Sequence, residues 1–271
     1  MDKTNDVGQA RILAELTAVP EALSLCWMGN AGWLVACGGR MWAIDPDLEG
    51  ADRLSPPPIS SHVLAAGLEA VFITHEHDDH FNFQTAQVLA RESRCLFVVP
   101  ANCVQKARSA GLSEGRIRIA PPRKAFDLEG LRILPLRAIH GHRDGTIYSD
   151  ANLDDCGYLL EMGPFRLLQP GDSLLAQEHL LQGRLDALMV SPTEHNMWIE
   201  PAARLIHALR PAHVFPQHFD TYVQTPDNSF WTIGHAARLR QSLDAEMAGR
   251  FHQMGQGQVF RIAPPYFSPM Q

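Results

Sequence analysis

The sequence has few cysteines and no cluster of basic residues, and both shortages exclude classes of protein. The five cysteines are an odd, scattered set without a Cys-x-x-Cys pair, so we expect neither a disulfide framework nor a thiolate zinc site. We predict instead that they are small buried hydrophobes. Lys and Arg total 23 against 30 Asp and Glu, for a formal net charge of -7, which argues against a nucleic-acid partner.

Long apolar stretches are also missing. No segment approaches the ~20 consecutive apolar residues that cross a bilayer, and the polar start at residues 1–6 does not have the pattern of an export signal. We therefore expect no membrane partner and a cytoplasmic location. The apolar fraction of 45% and the charged fraction of 20% are typical of a folded globular protein.

Strand-like segments alternate with helical periods along the chain. Short apolar segments between residues 23 and 44, separated by glycine turns, predict a β-meander, and the apolar run at 70–74 predicts a buried strand followed by a helix. The second half repeats this order, which predicts two sheets packed face to face with helices outside both. The one proline-rich stretch, at 56–58, lies too early to divide two cores, so we expect a single domain over residues 1–271.

Two predicted helices and one long irregular segment complete the second half. Helical periods cover 174–181 and 233–247. Residues 141–155 are polar, contain glycine and lie between predicted strands. Irregular segments of about 12 to 15 residues are uncommon inside compact domains and often serve as lids or binding loops. We therefore expect this segment to border a ligand.

The predicted strand at 70–74 is followed directly by a dense polar cluster, His75-Glu76-His77-Asp78-Asp79-His80. The carboxyl ends of strands are where open α/β sheets place ligands. His75 and His77 are two residues apart, so on an extended chain both imidazoles would point to one side and converge on one ion. Asp79 and His80, on the following bend, can hold a second ion. Imidazole and carboxylate together suit divalent Zn, Mn or Fe.

Three further strand ends carry residues that bind metals. His140 ends the strand at 133–139, Asp172 follows the strand that ends near residue 169, and His218 follows the strand at 214–216. His142 is an alternative to His140. We favour His140, because it directly follows the predicted strand. Five other isolated histidines are expected to be structural hydrogen-bond donors, namely His62, His179, His207, His213 and His252.

This set of strand-terminal residues resembles the metallo-β-lactamase superfamily, in which His-x-His-x-Asp-His is followed by a third His, a bridging Asp and a final His. The resemblance implies an α/β fold, a four-layer αβ/βα sandwich of two packed mixed β-sheets with helices on both outer faces. It also implies two divalent metal ions per chain, Zn or Mn with Fe as an alternative, that share a hydrolytic hydroxide. Carried over by position, the ligands would be His75, His77 and His140 for the first ion, Asp79, His80 and His218 for the second, and Asp172 for both.

Within the superfamily, the chain is similar to the L-ascorbate-6-phosphate lactonase group through residues 74–80, 170–173 and 214–220. This resemblance implies opening of a lactone or similar ester in a small anionic metabolite, such as a sugar acid or a phosphorylated compound, and a homo-oligomer. His77 stands where the oxygen-reducing di-iron members carry Glu, which disfavours redox chemistry. An acidic residue stands in the lactonase group where this chain has His140, so the metal and the substrate stay open.

Other site residues are predicted from their places beside the ligands. As a catalytic residue, Asp79 would orient the nucleophile and pass its proton to the leaving group while remaining a ligand. Asp45 would hydrogen-bond to a metal-binding histidine. Substrate contacts are expected from five residues on the irregular segment or after strand ends, with Arg143 as a clamp for an anionic group. These five are Arg143, Tyr148, Glu194, His195 and Tyr222.

Two other functions stay open on the sequence alone. A phosphodiesterase of the same fold would cleave a bis-substituted phosphate and leave lactones untouched. A non-catalytic metal or metabolite sensor would bind metal without turnover. The complete apparent ligand set argues against the sensor.

Overall fold

The computed structural model describes residues 3–264, whose strands form two β-sheets. In chain order the strands are β1 (Leu23–Gly29), β2 (Gly32–Cys37), β3 (Arg40–Ile44), β4 (Ala70–Phe72), β5 (Leu96–Val99), β6 (Ile117–Ile119), β7 (Phe126–Leu128), β8 (Leu131–Arg137), β9 (Cys156–Met162), β10 (Phe165–Gln169), β11 (Ala187–Val190), β12 (His213–Pro216) and β13 (Val259–Ile262). The α-helices are α1 (Lys3–Thr17), α2 (Ser61–Leu64), α3 (Phe83–Glu92), α4 (Val104–Ser109), α5 (Gln177–Leu180), α6 (Ile199–Leu209), α7 (Ser229–Thr232), α8 (Ala236–Gln241) and α9 (Ala245–Gly249). Within this described part of the chain, no helix has both the length and the apolar character needed to cross a bilayer.

Both sheets are mixed. The first has the strand order β13-β1-β2-β3-β4-β5-β6, in which the β1–β3 meander is antiparallel and β3 to β6 are parallel. The second has the order β12-β11-β10-β9-β8-β7, in which β7 to β10 are antiparallel and β10 to β12 are parallel. The parallel pairs require crossover connections, which the helices supply.

Large apolar side chains fill the space between the sheets. Trp33 of β2 packs edge-on against Phe215 of β12, with ring centroids 5.6 Å apart, and Phe72 of β4 packs similarly against Tyr158 of β9 at 5.3 Å. A second apolar cluster lies beneath α3 on the outer face of the first sheet, where Leu89 is fully buried. The crossover helix α6 packs its apolar face on the second sheet. This architecture confirms the predicted α/β fold of two packed mixed sheets with helices outside them.

Two predicted helices are shorter in the structure than the helical period suggested. The helix predicted at 174–181 is reduced to α5, because the chain before it runs beside another segment and the amide of Leu174 donates to the carbonyl of Ile139 at 2.8 Å. The helix predicted at 233–247 is divided into α8 and α9. The break is stabilised by Asp244, which caps α9 by accepting a hydrogen bond from the amide of Met247.

One edge of the sandwich collects the strand ends that carry the polar motifs. In the second sheet β8, β10 and β12 run in the same direction, since β9 is antiparallel to both β8 and β10. Their carboxyl ends lead to His140, Asp172 and His218, and the carboxyl end of β4 leads to the cluster that starts at His75.

A glycine in β9 allows the close approach on which this edge depends. A Cβ atom at Gly157 would lie well inside van der Waals contact with the backbone carbonyl groups of Gln169 and Pro170. We predict that Gly157→Ala lowers the free energy of unfolding by about 1–3 kcal/mol, because the chain that leads to Asp172 must shift. At roughly 2–4 °C per kcal/mol for a chain of this size, thermal unfolding followed by circular dichroism detects the loss. Gly115→Ala is the matched control, since a Cβ atom there contacts nothing within 4 Å, and equal melting temperatures for the two variants would contradict the prediction.

Candidate metal centre

The strand ends bring all seven predicted ligand residues into one cluster. In each group of ligand residues the ligand atoms lie within 4.8 Å of one another. The groups are His75, His77 and His140; His75, His80 and Asp172; Asp79, His80 and His218; and His140, Asp172 and His195, of which His195 is an eighth residue, predicted as a substrate contact. The structure therefore gathers residues that are up to 143 positions apart in the chain, from His75 to His218.

Three imidazoles form the first half of the cluster. Nε2 of His75 lies 3.0 Å from Nδ1 of His77, and the ring of His140 is 4.5 Å from the ring of His75 and 4.8 Å from that of His77. Burial lowers the pKa of both His75 and His77, and the neighbouring imidazoles of His80 and His140 lower it further. Neutral imidazole is the form that binds a metal ion.

The second half of the cluster combines imidazoles with carboxylates. Nε2 of His80 lies 3.3 Å from Asp172 and 3.5 Å from Asp79, and Nε2 of His218 lies 3.0 Å from the other oxygen of Asp172. Asp172 therefore stands between the two histidines. Burial acts to raise the pKa of Asp172, but His218 and His80 outweigh it and hold this pKa well below its ordinary value. Asp172 is thus a carboxylate at neutral pH.

Several buried polar atoms in the cluster have no partner in hydrogen-bonding geometry. They are Nε2 of His80, His140 and His218 and Oδ1 of Asp172. Unpartnered buried polar atoms are rare because each carries a desolvation cost. Inward-facing imidazole nitrogens and carboxylate oxygens at this spacing fit divalent cations of the Zn, Mn or Fe type. The donor set is large enough for two such ions.

Asp45 orients His80 from outside the cluster. Its fully buried carboxylate accepts hydrogen bonds from Nδ1 of His80 at 2.8 Å, from the hydroxyl of Thr74 at 2.7 Å and from the amide of Thr74 at 2.8 Å. These bonds leave Nε2 of His80 facing the cluster. Asp45 occupies the place predicted for it beside a ligand. Thr74 was not predicted, although it directly precedes the polar motif, and its hydroxyl also lies 2.9 Å from Nδ1 of His75.

Asn30 is a second site residue that sequence reasoning missed. It lies in the β1–β2 turn with a positive φ of 48°, and its side-chain amide donates to the carboxylate of Asp79 at 2.9 Å. Its backbone carbonyl accepts from the amide of His218 at 3.1 Å. The sequence indicated only a turn here, because the contacts of Asn30 come from residues far along the chain.

The cluster opens into a cavity, and the five predicted substrate residues divide between this cavity and its surroundings. His195 lines the cavity, 4.8 Å from the ring of His140, and Tyr148 packs on its ring at 5.2 Å. Burial lowers the pKa of His195 to about 4. Arg143 forms a 2.8 Å ion pair with Glu194, so these two predicted contacts bind each other.

Two other residues from the sequence analysis lie outside the cluster. Tyr222 is buried and donates its hydroxyl to the carboxylate of Asp47, in a second cavity beside the first. The alternative ligand His142 lies on the irregular segment, 3.2 Å from Asp144 and away from the metal-ligand groups. The geometry therefore favours His140 over His142 as the ligand.

The cluster opens into a cavity of about 420 Å³. The lining residues are Glu76, His77, Asp78, Asp79, Asp172, His195, Phe230 and Trp231. The two aromatic residues were not predicted, because they belong to the segment between His218 and α8 that carries no motif. The backbone carbonyl of Trp231 lies 3.2 Å from Nδ1 of His218, so the residue that forms the apolar wall also orients this predicted metal-binding imidazole.

Comparisons with known proteins show the family and proteins of similar fold. A family model described as a beta-lactamase superfamily domain matches residues 24–218, a range that includes all seven predicted ligand residues. A UPF0173 metal-dependent hydrolase of Roseiflexus sp. (strain RS-1) is 24% identical over 216 residues, which cover 76% of this chain and 86% of that protein. Igni18, a metallo hydrolase from Ignicoccus hospitalis, has a TM-score of 0.70 at 19% identity, with 89% of this chain and 98% of that chain covered. An isothiocyanate hydrolase from Delia radicum gut bacteria has a TM-score of 0.68 at 19% identity, with 88% and 98% covered.

The role of Asp45 can be tested through metal affinity. We predict that Asp45→Asn weakens metal binding by about 10- to 100-fold, because the amide cannot accept all the hydrogen bonds that orient His80. Competition with a chromophoric chelator measures the dissociation constants. Asp127→Asn, at an exposed position in β7, is the matched control. Equal metal affinity in Asp45→Asn and the control would show that Asp45 does not position a ligand.

Proposed function

This chain belongs to the beta-lactamase superfamily of metal-dependent hydrolases, and we propose that it opens a lactone or a similar ester in a small molecule. The observation that supports this proposal is the position of Asp172, whose carboxylate lies beside His80 and His218 of the second half and within ligand-atom range of His75 and His140 of the first half. A carboxylate in that place can bind two cations at once. We therefore propose two divalent ions per chain, Zn or Mn with Fe as an alternative. Bound there, such ions would supply a nucleophilic water at neutral pH and polarise the bond to be cleaved.

Asp79 is the residue proposed to move the proton. It lines the cavity, and the side-chain amide of Asn30 holds one of its carboxylate oxygens. In ester hydrolysis the water oxygen bonds to the carbonyl carbon, the bond to the leaving oxygen breaks, and that oxygen takes up a proton. We assign Asp79 to accept the proton of the attacking water and return it to the leaving oxygen. For a lactone, the products are the carboxyl and hydroxyl groups of one hydroxy acid.

The cavity walls define how a substrate could be held. Phe230 and Trp231 provide an apolar side, and His195 provides an imidazole that is neutral at pH 7 because burial lowers its pKa to about 4. A neutral imidazole can donate or accept one hydrogen bond. The anionic group expected from the sequence would face the metal ions, since Arg143 is already paired with Glu194.

The proposal is tested by removing two ligands of the first half of the cluster. We predict that His75→Ala with His77→Ala loses most bound metal and all hydrolytic activity but stays folded, since these side chains end in the cluster and not in the core. Elemental analysis of protein purified without chelators measures the metal content, which should be near two ions per chain in the wild type. A panel of lactones, aryl esters and bis-aryl phosphates measures the activity.

A control removes two histidines elsewhere. His62→Ala with His207→Ala changes side chains outside the cluster and should retain both metal and activity. Unchanged metal content in the His75 and His77 double variant would contradict the ligand assignment. A wild type that holds two ions but hydrolyses only the bis-aryl phosphates would indicate a phosphodiesterase, and no turnover on the whole panel would indicate a non-catalytic metal protein.

A further inference from the structure

A second cavity of about 470 Å³ adjoins the metal centre and shares Asp78, Asp79 and Trp231 with the first. We propose that this cavity binds a protonated organic amine that forms part of the substrate. The inference rests on the proposed function for its reaction, but the binding of the amine can be tested separately. In this arrangement the bond to be cleaved lies beside Asp79 and the ammonium group lies beyond Trp231.

The cavity is lined by carboxylates without a lining cation. Asp47, Glu49 and Asp52 contribute in addition to the shared aspartates, and its lining includes no Lys or Arg. Within residues 3–264, Glu49 and Asp52 make no ion pair, whereas Asp78 is paired with Lys106 at 2.7 Å and Asp47 with Arg53 at 4.0 Å. The cavity therefore has an excess of negative charge, which attracts a cation and repels an anion.

One buried carboxylate oxygen of a residue that lines this cavity lacks a donor. Asp47 is only 4% exposed, its Oδ2 accepts the hydroxyl of Tyr222, and its Oδ1 has no hydrogen-bond partner. Arg53 forms only a long ion pair with this carboxylate, at 4.0 Å from Nη1 to Oδ2, and the same nitrogen donates to the backbone carbonyl of Asp47. A buried acceptor without a donor is costly, and an ammonium N–H in the cavity would remove that cost.

The aromatic walls favour an organic amine over a third metal ion. Tyr222 and Trp231 pack edge to face with ring centroids 5.4 Å apart, and Phe83 also lines the cavity. Aromatic faces attract ammonium groups and pack against their carbon chains. A metal ion would instead need several oxygen ligands close together, and within residues 3–264 the carboxylates of this cavity form no such ligand group. The cationic end would accompany the anionic groups expected beside the metal centre, so the substrate would carry both charges.

Binding is tested with benzylammonium and its neutral analogue benzyl alcohol. Calorimetric titration of the metal-loaded protein should give a dissociation constant for benzylammonium that is about five- to thirtyfold lower than that for benzyl alcohol. The difference comes from ion pairing and from contact of the ammonium group with the aromatic rings. Glu49→Gln with Asp52→Asn should lower the ratio of the benzyl alcohol to the benzylammonium dissociation constant at least threefold, roughly the effect of two exposed charges. Asp127→Asn with Glu200→Gln changes the net charge equally at distant exposed positions and should leave this ratio unchanged.

Turnover is tested with two isosteric esters, para-(aminomethyl)phenyl acetate and para-ethylphenyl acetate. The ratio of their kcat/KM values should favour the ammonium ester and fall in the Glu49 and Asp52 double variant only. Equal binding of benzylammonium and benzyl alcohol, an equal loss in both double variants, or displacement of benzylammonium by Ca²⁺ would overturn the inference. If benzylammonium binds as expected but neither ester is cleaved, the amine site stands and the proposed ester hydrolysis fails.

Discussion

The three hydrogen bonds that Asp45 accepts are the constraint on which the metal centre depends. They join the end of β3 to the end of β4 through Thr74 and fix the ring of His80. Burial raises the pKa of Asp45 above its ordinary value, and the imidazole of His80 is the main influence that limits this rise. A charged carboxylate in the core is tolerable only with such partners. The same bonds that satisfy Asp45 therefore determine which nitrogen of His80 faces the cluster.

Close backbone contacts place the remaining predicted ligands at the same edge. Gly157 allows the turn before Asp172 to lie directly on β9, and Gly234 similarly allows the chain to pass over the carbonyl groups of Gln217 and His218. His218 itself has a φ of 61°, a left-handed conformation that is unfavourable for a residue with a side chain. Strain of this kind persists where surrounding contacts require it, and here the bond to the carbonyl of Asn30 is one of them.

The sequence predicts the parts of the site that are local and periodic. The motif at 75–80 is recognisable because its residues are adjacent, and His140, Asp172 and His218 each follow a run of apolar residues that identifies a strand. The aromatic wall at 230–231 and the turn at Asn30 carry no comparable pattern. Their roles arise only when distant segments pack, and the same packing replaced the long helical period at 233–247 by α8 and α9.

The charges around the two cavities change the expectation for the substrate. Arg143, the clamp expected for an anion, is held by Glu194 and packs over Trp198 at 5.5 Å, so it ties the irregular segment to the chain before α6. Neither cavity is lined by a free Lys or Arg within the described residues. The positive charge available to a substrate anion would thus come from the metal ions, while the carboxylates of Glu49 and Asp52 line the second cavity. A substrate with charges of both signs satisfies this distribution, and a polyanion such as a sugar-acid phosphate satisfies only half of it.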